Sequence, residues 1–424
     1  MPYLAPFRAL RFAPGAAADL SLLLCPPYDV IDAAEQRRLA QLSEHNAIHL
    51  ELPFAGDGDP YAHAAQTLAH WKAERVLERD PRPLIYVYEQ RFALPGAAAD
   101  AGQRVARSFF CRLRLEPYGS GSAVLPHEHT MSAPKEDRFR LLAATRTNLS
   151  PVLLLYDDGA AGETSQRWLD EITFEPPALD VTGPAGVRQR LWLVDPTTSV
   201  AARALLQVAS ARPVAIADGH HRYETALRYR GLPDAPAGAQ EVLVLLYEAR
   251  SGGLALLPWH RVISDVSDEE RLFSAADRLF DARPIADVGA LRAETERPGA
   301  IGLWTRTGGR LLRVDRGRLE AVVGGQSSDE LRWLDVNVLS ATLPEMIGAT
   351  SEELVHAERI SYTSDPDEAL AKVDGGAADA FFLMPSTPVE SVLEIASNGE
   401  FMPAKSTYFH PKAATGLVFN PLAD

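Results

Sequence analysis

The chain has 424 residues, 46% of them hydrophobic and 23% charged, which gives an ordinary globular protein enough apolar material for two or three domains. Its 57 acidic residues outnumber 42 basic ones, leaving a formal charge of −15. That surplus argues against broad non-specific nucleic-acid binding, which rests on neutralising phosphates, and leaves a local basic site open. Cys25 and Cys111 lie far apart and outside any C-x-x-C pattern, so the expectation is a reducing, cytoplasmic setting without a disulfide framework or cysteine zinc cluster.

In chain order, the opening MPYLAPFRALRFAPG is broken by prolines and arginines before an apolar core develops, so neither a secretory signal nor a membrane span is expected. Residues 1–32 read as mostly extended. The prolines at 26 and 27 hold Tyr28 and Asp29 on a stiff segment. Residues 33–44 read as a helix and 47–52 as a short strand, where alternation favours a solvent-facing Glu51 over a carboxylate that accepts a hydroxyl proton or holds magnesium through water. A helix over 61–79 follows. Strands over 84–92 and 104–115 pair through a Gly- and Ala-rich hairpin at 95–102. Beyond the loop 119–134 come a helix (135–147), strands (151–156 and 190–194), a helix (199–209), and further strands (241–247 and 254–257). Alternating strands and helices predict α/β or α+β, with a mixed sheet and flanking helices. From Asp268 onward, helices rich in Asp and Arg alternate with shorter strands, including helices over 330–343 and 389–396 and a strand over 380–384. This divides the chain into a main α/β domain, 1–264, and a smaller C-terminal α/β region, 265–424.

The densest chemistry is PVAIADGHHRYETALRY, residues 213–229. An apolar strand ends at Asp218, Gly219 allows close backbone approach, and a helix begins. The first N–H groups of a helix have no internal partners and sit at the positive end of its dipole, so a phosphate or carboxylate suits this turn. Arg222 can fork two oxygens, and His220 and His221 can donate hydrogen bonds or protons. The competing explanation is that Asp218 caps the helix while the histidines are solvated.

In LPHEHT, residues 125–130, an extended backbone directs His127 and His129 to one face and Glu128 to the other. The spacing differs from the helical H-E-x-x-H of zinc hydrolases. Downstream, Lys135 and Arg138 bring positive charge to a helix. Asp29, fixed by its prolines, can accept a hydroxyl proton. The C-terminal MPAKSTYFHPK, residues 402–412, carries too many aromatics for a frayed tail, so 401–420 is expected to pack back on the main domain through its apolar ends.

The motifs CPPYDVI (25–31), LPHEHT, IADGHHRYETAL (216–227) and MPAKSTYFHPK together resemble the family catalogued as domain of unknown function 1015. The strand-to-helix turn is similar, more distantly, to the ParB/sulfiredoxin superfamily. That group includes free-serine kinases, DNA-partition proteins and reductases of cysteine sulfinic acid, and its equivalent turn holds nucleotide phosphates. The resemblance implies a ParB/sulfiredoxin-like element here and raises His127, Glu128, Lys135 and Arg138 as phosphate-site residues. It also places Lys405 and Ser406 there.

The resulting expectation is a nucleotide-dependent phosphotransferase acting on a small hydroxylated metabolite such as serine. Gly219, His220, His221 and Arg222 hold polyphosphate, Mg2+ with ATP or ADP bridges its oxygens, and Asp218, Asp29 or His221 handles the acceptor proton. Lys135 or Lys405 offsets charge. A non-catalytic nucleotide or metabolite sensor would use the same turn, and a metal-dependent hydrolase would use His127, His129 and His220. The expected partners are nucleotide and small-molecule substrate, with self-association into a homo-oligomer left open.

Overall fold

The computed structural model describes all residues except 18, 55–57, 96–101, 120, 131, 161, 326 and 424. The side chains of 132–134 are likewise left undescribed, and the expected hairpin around 95–102 lies largely outside the described residues. The chain divides into two compact units. The first comprises Met1–Pro126, Thr130–Ala255 and Pro411–Asp424, and the second His127–His129 and Leu256–His410. The division thus falls at Ala255, a little before residue 264.

The first unit is built on a nine-stranded mixed sheet. Across the sheet run Val124–Leu125, Val214–Asp218, Val152–Tyr156, Glu241–Glu248, Arg104–Arg114, Ile85–Phe92, Arg188–Val194 and Leu179–Thr182, with Leu4–Ala5 paired to Arg104–Arg114. Two pairings are parallel, Val214–Asp218 with Val124–Leu125 and Glu241–Glu248 with Val152–Tyr156; the others are antiparallel. Central strands such as VLLLY, 152–156, are buried on both faces, which explains their unbroken apolar runs. Phe109, Val152, Leu154, Ile216, Tyr223, Val244 and Leu246 share one core.

A second apolar cluster, containing Cys25, Ile48, Leu50, Leu68, Trp71, Leu141 and Phe419, gathers the N-terminal helices and the chain's last segment. Backbone bonds between Cys25 and Thr415 and between Leu10 and Phe419 join that last segment to the N-terminal strands. Residues expected as a strand at 47–52 form a short helix, Ile48–Glu51. Ile48 and Leu50 are both buried there, so the H-L-E-L alternation does not mark a half-exposed strand. The expected helix over 61–79 ends at Ala73 and gives way to the strand Leu77–Arg79, with Arg75 in the left-handed region between them.

The second unit carries a six-stranded antiparallel sheet, in the order Asp281–Ile285, Gly308–Arg313, Ala300–Thr305, Ala380–Leu383, His260–Ile263, Ile360–Thr363. Helices such as Val288–Glu294 and Pro366–Asp374 cover it through a core containing Leu291, Leu311, Val373 and Phe381. The expected helix over 330–343 is two, Asp329–Arg332 and Asp335–Met346. No helix among the described residues is long and apolar enough to cross a membrane.

Candidate functional site

Strand Val214–Asp218 leads directly into helix His220–Arg230. Gly219 makes the junction at φ 93° and ψ 28°, a left-handed conformation that costs glycine little and other residues more. Among the described residues no side chain caps this helix; Asp218 does not act as its cap. A register shift in the pairing with Val152–Tyr156 falls between Ile216 and Asp218, so the strand is already irregular where the chemistry begins.

Asp218 lies between two cations. Lys412 Nζ donates to its Oδ1 at 2.5 Å, and an Arg222 terminal nitrogen donates to its Oδ2 at 2.5 Å. Burial alone would raise the Asp218 carboxyl, but Lys412 and Arg222 outweigh it and hold the group well below the usual carboxylate range. For Lys412, burial works against the charged form, yet Asp218 and Asp29 prevail and push the ammonium upward. Asp29 Oδ2 is 3.6 Å from the same ammonium. Gln90 Nε2 donates to the Lys412 carbonyl at 3.1 Å and Gln90 Oε1 accepts from Tyr247, which fixes the lysine backbone against the central sheet.

Arg222 is more engaged than a ligand-forking turn residue would be. One terminal nitrogen holds Asp218, the other donates to the Pro151 carbonyl, and Nε has no hydrogen-bond partner among the described residues. A Cβ on Gly219 would stand 3.0 Å from Arg222 Nε, so this glycine also makes room for the guanidinium. Arg138 is buried, donates to the Glu51 carbonyl at 2.8 Å and lies over the Tyr28 ring at 4.2 Å. Burial raises the Tyr28 hydroxyl to about 12, although Arg222 and Arg138 oppose it. Glu51, expected at the solvent, is 0% exposed and accepts from Ser150 at 3.0 Å. Its second oxygen, Oε2, is buried without a partner among the described residues.

Further along the helix, Glu224 accepts from Thr130 at 2.8 Å and Lys135 at 3.0 Å. Burial lowers the His221 pKa against the pull of Glu224, which favours the uncharged imidazole with its basic nitrogen. His220 is buried at the helix start.

The structure therefore brings together Asp29, Asp218, Gly219 and Arg222, and adds Lys412, Tyr28 and Gln90. Lys412 stands in the 402–412 motif, where the resemblance favours Lys405 and Ser406 instead. The HPK ending is the signal the sequence offers: a lysine directly after proline at the edge of an apolar anchor. His127, Glu128, Lys405 and Ser406 belong to the second unit. There His127 Nε2 is 3.3 Å from Thr407 Oγ1, and the Met402 amide donates to the His127 carbonyl at 2.8 Å. The extended pairing at Glu128 is with Met402. His129 stacks on Phe401 at 4.1 Å. Lys405 Nζ lies over the Trp259 ring at 4.6 Å, and the Ser406 hydroxyl donates to the Pro403 carbonyl at 2.5 Å. Among the described residues, His127, His129 and His220 do not gather into a metal-ligating group; Asp157, Asp158 and Glu248 do gather.

These features define an α/β protein with a charged, glycine-started strand-to-helix turn on a mixed sheet. The chain belongs to the family described as Protein of unknown function (DUF1015), which it matches over residues 4–337. No curated protein matches it. Among solved structures, a conserved hypothetical protein from Pyrococcus furiosus is 16% identical, with 68% of this chain and 87% of that chain covered and a TM-score of 0.35. A free serine kinase variant in complex with AMP is 14% identical, with 68% of this chain and 84% of that chain covered and a TM-score of 0.37. SbnI with a C-terminal truncation, from Staphylococcus aureus, is 12% identical over 70% and 84%, with a TM-score of 0.36. At these scores the superpositions transfer neither a reaction nor a residue role.

Proposed function

We propose that the first unit binds the phosphates of a nucleotide at the start of helix His220–Arg230 and transfers a phosphoryl group to a small hydroxylated metabolite. The observation that carries this reading is the Gly219-started helix, which no described side chain caps and which begins beside the Lys412–Asp218–Arg222 cluster. A helix of this length presents backbone N–H groups and positive partial charge at its start. Lys412 places a full charge next to it. Phosphoryl transfer needs mainly positioning and electrostatic stabilisation, which such an arrangement supplies.

Asp218 fits neither a strong base nor a magnesium ligand, because each of its oxygens already faces a cation and its proton affinity is depressed. Its role in this reading is to hold Lys412 and Arg222 in place. Accepting the acceptor's proton then falls to Asp29, at the edge of the cluster, or to His221, whose burial disfavours the charged imidazolium. The weakness of Asp218 as a base also favours a second reading, a sensor that binds nucleotide without turnover.

Incubating the full-length protein with magnesium ATP or ADP and a panel of hydroxylated metabolites, with mass spectrometry of the products, separates the readings. A phosphorylated acceptor supports transfer. Binding without product supports the sensor, and absence of nucleotide binding overturns both.

A further inference from the structure

A small pocket in the first unit is lined on its charged side by Glu51, Arg138 and Arg222, with Ser150 and Thr225 beside them. Three buried polar atoms on these residues lack hydrogen-bond partners among the described residues: Glu51 Oε2, an acceptor, and Arg222 Nε and an Arg138 terminal nitrogen, both donors. A buried polar atom without a hydrogen bond costs stability, and a buried unpaired carboxylate oxygen costs more. Arg138 does not satisfy Oε2, since it stands 4.0 Å from Oε1 and donates instead to the Glu51 backbone carbonyl and to Asp137. Ser150 serves only Oε1. The pocket thus presents one unmet acceptor on a carboxylate and two unmet donors on guanidinium groups, held by different elements of the unit.

The complementary ligand carries a cationic donor and an anionic acceptor in one small molecule. The space is about 40 Å³, where a single water needs roughly 10–15 Å³. It therefore holds roughly three waters, the bulk of a compact metabolite. We infer that the pocket bounded by Glu51, Arg138 and Arg222 binds a small α-amino acid as its zwitterion, with the ammonium on Glu51 and the carboxylate on Arg222. Leu141, Leu142, Leu149 and Val242 supply its apolar lining, with Thr147 and Asn148 beside them. Because Arg222 also holds Asp218, a side-chain hydroxyl on such a ligand has a short route to the phosphate turn. The binding inference stands on the pocket alone; its role as acceptor site rests on the phosphotransfer reading.

The test is calorimetric titration of the full-length protein, without nucleotide, against glycine, L-serine, L-lactate and ethanolamine. Lactate lacks the ammonium and ethanolamine lacks the carboxylate. Glycine and serine should bind, and the other two should bind at least about tenfold more weakly, as expected when a charge-assisted hydrogen bond is lost. Glu51→Gln should reduce serine affinity by at least about tenfold, and the wild-type panel decides the matter if that variant does not fold. No binding of either amino acid, or lactate binding as tightly as serine, overturns the inference. Serine binding without ATP binding would remove the nucleotide reading and leave this pocket intact, while ATP binding without serine binding would do the reverse.

Discussion

Two lysines of one short motif meet opposite surroundings. Lys412, in the first unit, is enclosed by the carboxylates of Asp218 and Asp29. Lys405, in the second, lies over the face of Trp259, with its backbone in the left-handed region at φ 59°. A buried charge facing opposite charges is costly to disturb, because removing one partner strands the others. A partly exposed cation on an aromatic face is worth much less. The comparison teaches that the motif's chemistry follows from what each lysine faces, and that its charged character alone does not rank them.

The largest effect should come from Asp218→Asn, which leaves the largely enclosed Arg222 and Lys412 without their shared counter-charge. Urea denaturation should show a loss of about 3–5 kcal/mol. A near-isosteric change would otherwise leave stability unaltered, so a small loss would mean that the two cations find other partners.

Lys412→Met should cost about 1.5–3 kcal/mol, the worth of a hydrogen bond to a charged group, and it should change the acid response. The Asp218 carboxyl is depressed in the folded protein, so its contribution is fully present above the unfolded carboxylate pKa of about 3.9 and is lost as pH falls through the lower folded value. Removing Lys412 weakens that depression. Stability measured from about pH 5 downward should therefore fall less, and over a narrower pH range, in the variant than in the wild type. Parallel acid profiles would break the account of this cluster.

Gly219→Ala should cost about 1–2 kcal/mol for the left-handed backbone, with added crowding of Arg222. Thermal melting checks it, and an unchanged midpoint would show that the junction relaxes. The smallest effect belongs to Lys405→Ala, where loss of the contact with Trp259 should cost about 0.5–1 kcal/mol. A loss as large as that of Lys412→Met would erase the contrast between the two lysines.

Much of the architecture was legible because periodicity tracks burial. The unbroken apolar runs at 152–156 and 241–247 mark central strands, and the strand, glycine and helix around residue 219 lie where their pattern placed them. Local pattern failed where tertiary packing decided. His49-Leu50-Glu51-Leu52 alternates like an exposed-faced strand, yet it forms a helical turn whose Glu51 is sealed beneath Arg138 and Ser150. The site was half legible for the same reason. Asp218 and Gly219 announce themselves within a few residues. Lys412 reaches Asp218 only because the Cys25–Thr415 and Leu10–Phe419 bonds carry the last segment back to the N-terminal strands, a long-range fact no short window contains. Arg222 read as a surface donor because its neighbours are polar, whereas its partners Asp218 and the Pro151 carbonyl lie on two strands of the sheet or at their ends.

The most direct test of the central claim is calorimetric titration of ATP and of adenosine into the wild-type protein and into Lys412→Met. If the start of helix His220–Arg230 and its lysine hold phosphate, ATP binds the wild type far more tightly than adenosine does, and the variant loses at least about tenfold in ATP affinity while adenosine is unaffected. Equal affinities for ATP and adenosine, or ATP affinity untouched by the loss of Lys412, would contradict it.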